Sequence, residues 1–161
     1  MPGEAAAAPE LRHVSRVLIA DPLDRVRLLH FRLRDGRDVW IPPGGGEELG
    51  ETAEEAAVRE VREETSIVLT DPMRLVWLHR IHYFQRDVLE SYFFVRVAAT
   101  PSVVLEPVPG GPADLLEYRW WTCAEIADAE PEIAFTPREI AGRLGPLLAG
   151  SLPVVPIEIA E

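Results

Sequence analysis

The chain contains no lysine: all sixteen of its basic residues are arginine. That absence removes lysine Schiff-base chemistry and the P-loop lysine from consideration. It also means that an abundance of arginine is not in itself a phosphate-binding signal. Cysteine is nearly as scarce, with Cys123 alone, so neither an internal disulfide nor a cysteine-rich metal site can form, and a reducing, cytoplasmic location is the expectation. Cys123 reads as a small residue at the start of a helix rather than a nucleophile, for want of a paired base nearby. No apolar run approaches the ~18 residues of a membrane span. The opening residues MPGEAAAAPELR lack the basic and bulky apolar regions of a secretory signal, and residues 1–11 are expected to form a flexible tail. A net charge of -11 disfavours a nucleic-acid polymer or an anionic membrane as partner, because both attract basic surfaces. A small phosphate ester carried with a divalent cation remains compatible.

What is present is enough for one globular domain with a core: 161 residues, 47% of them hydrophobic. The chain is organised around WIPPGGGEELGETAEEAAVREVREETSI, Trp40 to Ile67. A strand end leads into a proline and glycine elbow and then a helix, with Thr52 and Glu55 forming a capping box at its start. An acidic helix face is ordinarily just solvated. The helical wheel argues otherwise here. With Glu60 as zero, Ala53 lies at ~20°, Ala57 at ~60°, Val61 at ~100° and Ala56 at ~320°, while Glu64 falls at ~40° and Glu63 at ~300°. Glu60 and Glu64 therefore sit in the core-facing sector, and Glu55, Arg59 and Arg62 in the outward one. Carboxylates aimed inward need compensation. Oxygen ligands without histidine or cysteine favour a hard divalent ion, Mg²⁺ or Mn²⁺, over zinc.

The spaced residues Gly45, Glu51, Arg59, Glu60, Val61, Glu63, Glu64 and Ile67 resemble the Nudix box, preceded by the PGG elbow typical of that family. Ser66 is the one departure, standing where the box has glycine. The resemblance extends to EYRWWTCAEIA and is expected to cover residues 12–150 as a single domain, followed by a proline-punctuated tail over 151–161. It implies an α+β fold, an alpha-beta-alpha sandwich with a mixed central sheet. By the same resemblance, Glu60 and Glu64 ligate metal, Glu63 shares in ligation or acts as general base, the Gly44 carbonyl contributes a ligand, and Arg59 and Glu51 support the cluster. From the wheel alone, Arg59 could equally be a surface partner of Glu55 or Glu63.

Periodicity and turn signals place strands at Val14–Ala20, Arg25–Leu33, Val39–Ile41, Met73–Phe84, Val88–Ala99 and Glu117–Trp121. The alternation slips at Leu28-Leu29, which calls for a bulge or for burial on both faces. Met73, Leu75, Trp77, Ile81 and Tyr83 are expected to share one face. Thr136 with Glu139 reads as a second capping box opening a helix with the apolar stripe Ile140, Leu144, Leu147 and Leu148, broken midway by Gly145-Pro146. Thr100 to Asp114, with four prolines and two adjacent glycines, is a long loop.

The function implied is Mg²⁺-dependent hydrolysis of a pyrophosphate linkage in a small nucleoside diphosphate linked to X, by water attack at phosphorus. The rival is a non-catalytic sensor of the same fold, which would more naturally have lost one of Glu60, Glu63 or Glu64. Family members differ on whether the base comes from the box or a distant loop, and Glu106, Asp114 and Glu117 are the loop acids here. For the substrate, Arg80 and Arg119 are phosphate ligands to consider, and Trp77, Tyr83, Phe84 and Tyr92 stacking platforms, though a strand aromatic is more often core. A homodimer is left open.

Overall fold

A computed structural model describes residues 10–83, 85–102 and 115–160. Phe84, Glu106, Asp114 and most of the Thr100 to Asp114 loop fall outside the described residues. The elements are β1 (Arg12–Ala20), β2 (Arg25–Arg32), β3 (Asp38–Ile41), β4 (Gly44–Gly46), α1 (Ala53–Thr65), β5 (Arg74–Tyr83), β6 (Arg86–Arg96), β7 (Leu115–Thr122), α2 (Cys123–Ala127), β8 (Ala134–Phe135), α3 (Ile140–Leu148) and β9 (Ile157–Ile159). The strands form one mixed sheet in the order β8-β3-β2-β1-β6-β5-β9, with β4 paired to β1 and β7 to β2.

Strand alternation sorts β1 into two cores. Val17 and Ile19 pack with Ala57 and Val61 of α1. Leu18 and Ala20 face the other way, toward Ile126 of α2 and Ile140, Leu144 and Leu147 of α3. Helices thus cover both faces of the sheet, as the sandwich requires. Each fully buried aliphatic side chain, Leu18 or Leu144 for example, contributes about 2 kcal/mol by leaving water.

Pairing between β1 and β2 is confined to Ala20↔Val26. Beyond it the two strands take different partners: Val14, Ser15 and Arg16 pair with the β4 glycines, while Leu29 to Arg32 pair with β3 and Arg25 to Phe31 with β7. The sheet therefore forks at Val26, and the box elbow lies in the β1 branch.

One open alternative is decided and several expectations are corrected. Leu28 and Leu29 are both fully buried, so the slipped alternation reflects burial on two faces, and the irregularity of β2 falls later, between His30 and Phe31. The β5 residues do not share one face. A register shift between Leu75 and Trp77 turns the strand over, leaving Met73 and Leu75 against the α1 core and Trp77 in the opposite core. The capping box at Thr136 does not form: β8 pairs with β3 and the Thr136 N–H donates to the Trp40 carbonyl, which holds this stretch extended and delays α3 to Ile140. A capping box forms instead after β7, where Thr122 with Glu125 starts α2 at Cys123. Gly145-Pro146 does not break α3, which runs through Pro146 to Leu148; the residue four back, where a proline ring crowds the helix, is Gly142. Finally, part of the segment read as a tail is a strand, β9, parallel to β5, with Ile159 buried in the core.

Candidate active site

Helix α1 starts where the sequence puts it, with Thr52 accepting from the Glu55 N–H and the Glu55 carboxylate accepting from the Thr52 N–H. Its buried residues are Ala56, Ala57, Val61, Glu64 and Thr65, so Glu64 is carried into the interior by the same stripe that builds the core. Glu64 Oε2 accepts the backbone N–H of Gly44 at 2.8 Å. Burial pushes the Glu64 carboxyl up to about 8; Glu60 and Glu63 add to the rise, while Arg16 and the Gly44 N–H oppose it. Negative charge is thus under-compensated at this carboxylate.

Glu60 lies under the elbow. A Cβ built on Gly45 would stand 2.5 Å from the Glu60 Cδ and Oε1, so the carboxyl rests directly against the glycine backbone. Glu60 Oε1 also accepts from Arg59 Nη1 at 2.8 Å. Glu63 is the most open of the group, its side chain 55% exposed, with Oε2 3.3 Å from the same Nη1.

Arg59 does not stay in the outward sector. Its Nε and Nη2 hold the two oxygens of Glu51 at 2.6 and 2.9 Å, and Nη2 also donates to the Gly46 carbonyl at 3.0 Å. The Arg59 bonds, joined by the Glu48 N–H, lower the Glu51 carboxyl to about 2. The ion pair fastens the loop before α1, and the last glycine of β4, to the middle of the helix. Glu55 is engaged in the cap, so of the two surface partners weighed for Arg59 only Glu63 is within reach.

Sequence reasoning missed the support on the other side of β4. Arg16 Nη1 donates to the Gly44 carbonyl at 3.2 Å, and its Nε donates to Glu90 Oε1 at 3.1 Å. Burial alone would raise the Glu90 carboxyl; Arg16, His79 Nδ1 at 3.2 Å and the Tyr92 hydroxyl at 2.7 Å outweigh it and hold it at about 2. The signal was a charge inside an apolar strand, Arg16 in VSRVLIA and Glu90 in VLESYFF. Gly44 is thereby held from both sides, its N–H by Glu64 and its carbonyl by Arg16.

The residues considered for substrate fall elsewhere. Trp77 and Tyr92 are core residues, at 1% and 0% exposure. Arg80 and Tyr83 lie on β5, two strands from β1 across β6. Glu117 stands 3.7 Å from His30 Nδ1. Arg119 lies over the Trp121 ring, 3.7 Å from its centroid.

The groups that the box resemblance implies as ligands, Glu60, Glu63, Glu64 and the Gly44 carbonyl, offer only oxygen, the chemistry of a hard cation, and the buried, poorly compensated Glu64 is a carboxylate that a cation would stabilise. Among the described residues no three acidic, histidine or cysteine side chains already converge as a metal cluster. Glu60 and Glu63 are instead turned to Arg59. No helix among the described residues is long and apolar enough to cross a membrane.

The fold has counterparts among known proteins. A MutT protein from Methanosarcina mazei superposes with a TM-score of 0.68 at 22% identity, covering 87% of this chain and 96% of that one. An Ap4A hydrolase from C. elegans gives 0.64 at 18% identity over 86% and 98%. At these identities the likeness concerns the fold. Among curated sequences, a dihydroneopterin triphosphate diphosphatase of Escherichia coli is 37% identical over 75 residues, 46% of this chain and 50% of that protein. An RNA pyrophosphohydrolase of Teredinibacter turnerae is 31% identical over 118 residues, 65% of this chain and 67% of that protein. The chain thus spans half to two thirds of the length of these curated relatives. The family model for the NUDIX domain matches residues 11–142, and the chain belongs to the Nudix family.

Proposed function

We propose that the protein is a hydrolase that splits a phosphoanhydride in a small nucleotide-type compound, a nucleoside diphosphate linked to X, with Mg²⁺ or Mn²⁺ as cofactor. The observation that carries this reading is Glu64, a carboxylate at 5% exposure whose pKa is raised and which is fixed to the Gly44 N–H beside Glu60. Such an arrangement is costly without a cation and useful with one. Relatives described as a triphosphate diphosphatase and a pyrophosphohydrolase support the reaction class.

Glu60 and Glu64, with Glu63 and the Gly44 carbonyl, would hold the ion. When bound, it supplies charge neutralisation at the phosphate oxygens and a more acidic water. The chain's own contributions are positional. Arg59 draws Glu51, Glu60 and the Gly46 carbonyl together, so the loop, helix and elbow keep one geometry. Arg16 and Glu64 fix the two polar groups of Gly44. Glu63, exposed on the same helix, would share in holding the ion or accept a proton from the attacking water. The net charge of -11 argues for a small substrate over a polymer.

The test is a turnover panel of nucleoside di- and triphosphates, nucleotide sugars, dinucleotides and a 5′-triphosphate RNA, each with Mg²⁺, Mn²⁺ or chelator. Metal-dependent release of phosphate or a nucleoside monophosphate from at least one compound is expected. Folded, metal-loaded protein inert on all of them would overturn the reading.

A further inference from the structure

Arg27 is a charged side chain that none of this machinery uses. It is 4% exposed, and its Nε and Nη2 are both buried without a hydrogen-bond partner. An arginine in that state is unusual, because a buried donor left unpaired carries its full desolvation cost. Burial pulls its pKa down, and Tyr118 only partly offsets this. The guanidinium is held by two rings, with Cζ 5.1 Å from the Tyr118 centroid and 5.4 Å from that of Trp120. Trp120, directly opposite Arg27 in the β2–β7 register, packs against the α1 core. The guanidinium therefore lies on the α1 side of the sheet, one residue past the Ala20↔Val26 pair where the sheet forks.

The two unpartnered atoms belong to one edge of the guanidinium, the fork that matches a pair of oxygens on a carboxylate or phosphate. Elsewhere in the chain the same edge is in use. Nε and Nη2 together hold Asp21 in Arg25, Asp38 in Arg32 and Glu51 in Arg59. At Arg27 the same fork is left without a partner and packs against two rings. Tyr118, two residues from Trp120 on β7, shares its face, and so lies on the side of the sheet that α1 covers.

We propose that Arg27 is an anion subsite that grips two oxygens of a phosphoryl group, the group adjoining the anhydride that is cleaved. This rests on the hydrolase reading above and deepens it: the substrate class becomes compounds carrying a phosphoryl group beside the scissile one, and Tyr118 and Trp120 serve as the walls that orient the fork.

The experiment follows the side-chain Nε–H signals of ¹⁵N-labelled, metal-free full-length protein while inorganic pyrophosphate, and separately inorganic phosphate, is titrated in. The Arg27 signal is identified by its loss in Arg27→Lys. A saturable shift of that signal is expected, with Arg27→Lys and Arg27→Met binding pyrophosphate about ten- to a hundred-fold more weakly, the loss of charge-assisted hydrogen bonds. Pyrophosphate acting more strongly than phosphate identifies a chain of phosphoryl groups; equal action identifies one terminal group, which a released product would also supply. Because Glu64→Gln removes the cation-binding acid and leaves the fork, it should retain the shift. Retained binding in a protein that turns nothing over would sink the hydrolase reading and leave the subsite standing. An Arg27 signal that stays fixed up to saturating pyrophosphate, or an unchanged affinity in Arg27→Met, overturns the subsite. So does an Arg27→Met protein that melts far below wild type without ligand, since the arginine would then be part of the fold's own framework.

Discussion

The Oε2 of Glu64 and the backbone N–H of Gly44 meet at 2.8 Å inside the protein, joining the last turn of α1 to a strand of three glycines. An acid buried there holds its proton more tightly than it does in the unfolded chain, and stability must follow pH accordingly.

With a native pKa of about 8 against an ordinary value of 4.5, folded Glu64 carries a proton across a range where the unfolded chain has lost it. Its contribution is complete below the unfolded value and declines as pH rises toward 8, by at most about 1.4 kcal/mol per pH unit. Glu90 acts in the opposite sense. Held at about 2, it adds stability above the usual carboxylate range that disappears as pH falls toward 2. Urea denaturation of the metal-free protein should therefore show a loss of a few kcal/mol between pH 5 and pH 8. Glu64→Gln should flatten that slope without lowering stability at pH 8. Equal slopes in the two proteins would show that Glu64 is not the group responsible.

The elbow glycines should differ sharply from one another. A methyl at Gly45 would occupy the space of the Glu60 carboxyl, at 2.5 Å, whereas one at Gly46 meets the end of Arg12 at 3.1 Å, a flexible neighbour. Gly45→Ala is expected to keep a near-native melting temperature while weakening Mn²⁺ binding and turnover at least about tenfold, because the carboxyl can swing away but not back into place. Gly46→Ala should bind metal nearly as wild type does. Equal effects on metal affinity would show that the Gly45 contact with Glu60 does not matter.

Ser66 follows α1 with φ 60° and ψ 9°, in the left-handed region, its N–H donating to the Arg62 carbonyl. A residue with a Cβ thus occupies a conformation that suits glycine. Ser66→Gly should raise stability by up to about 1 kcal/mol, offset in part by the freedom glycine gains on unfolding. Turnover should hardly change, since the side chain at 66 is exposed and the glutamates lie in the preceding turns of the helix. A large gain in rate would indicate that serine displaces the ligand helix.

Much of the site was legible because one short segment contains both its local structure and its charges. The cap at Thr52 and the inward turn of Glu64 both follow from residues within one helix. What was not legible depends on strand pairing between distant segments. Arg16 and Glu90 are 74 residues apart and meet because β1 and β6 are parallel neighbours. Arg27 meets Tyr118 and Trp120 through the β2–β7 register. Alternation in β5 misled for a related reason: the shift at Leu75 to Trp77 reverses the faces, and no turn residue marks it. Arg59 was assigned outward by wheel angle, but its long side chain reaches back to Glu51, a residue that precedes the helix and so has no place on the wheel.

The most direct test of the central claim is calorimetric titration of Mn²⁺ or Mg²⁺ into wild type, Glu60→Gln and Glu64→Gln at one pH, with turnover measured on the same samples. Each substitution removes one oxygen charge while preserving shape. The account predicts saturable binding to wild type, weakened at least about tenfold in both variants, and loss of most activity in folded protein. Metal affinity unchanged in both variants would contradict it, because the inward face of α1 would then not be the face that holds the ion.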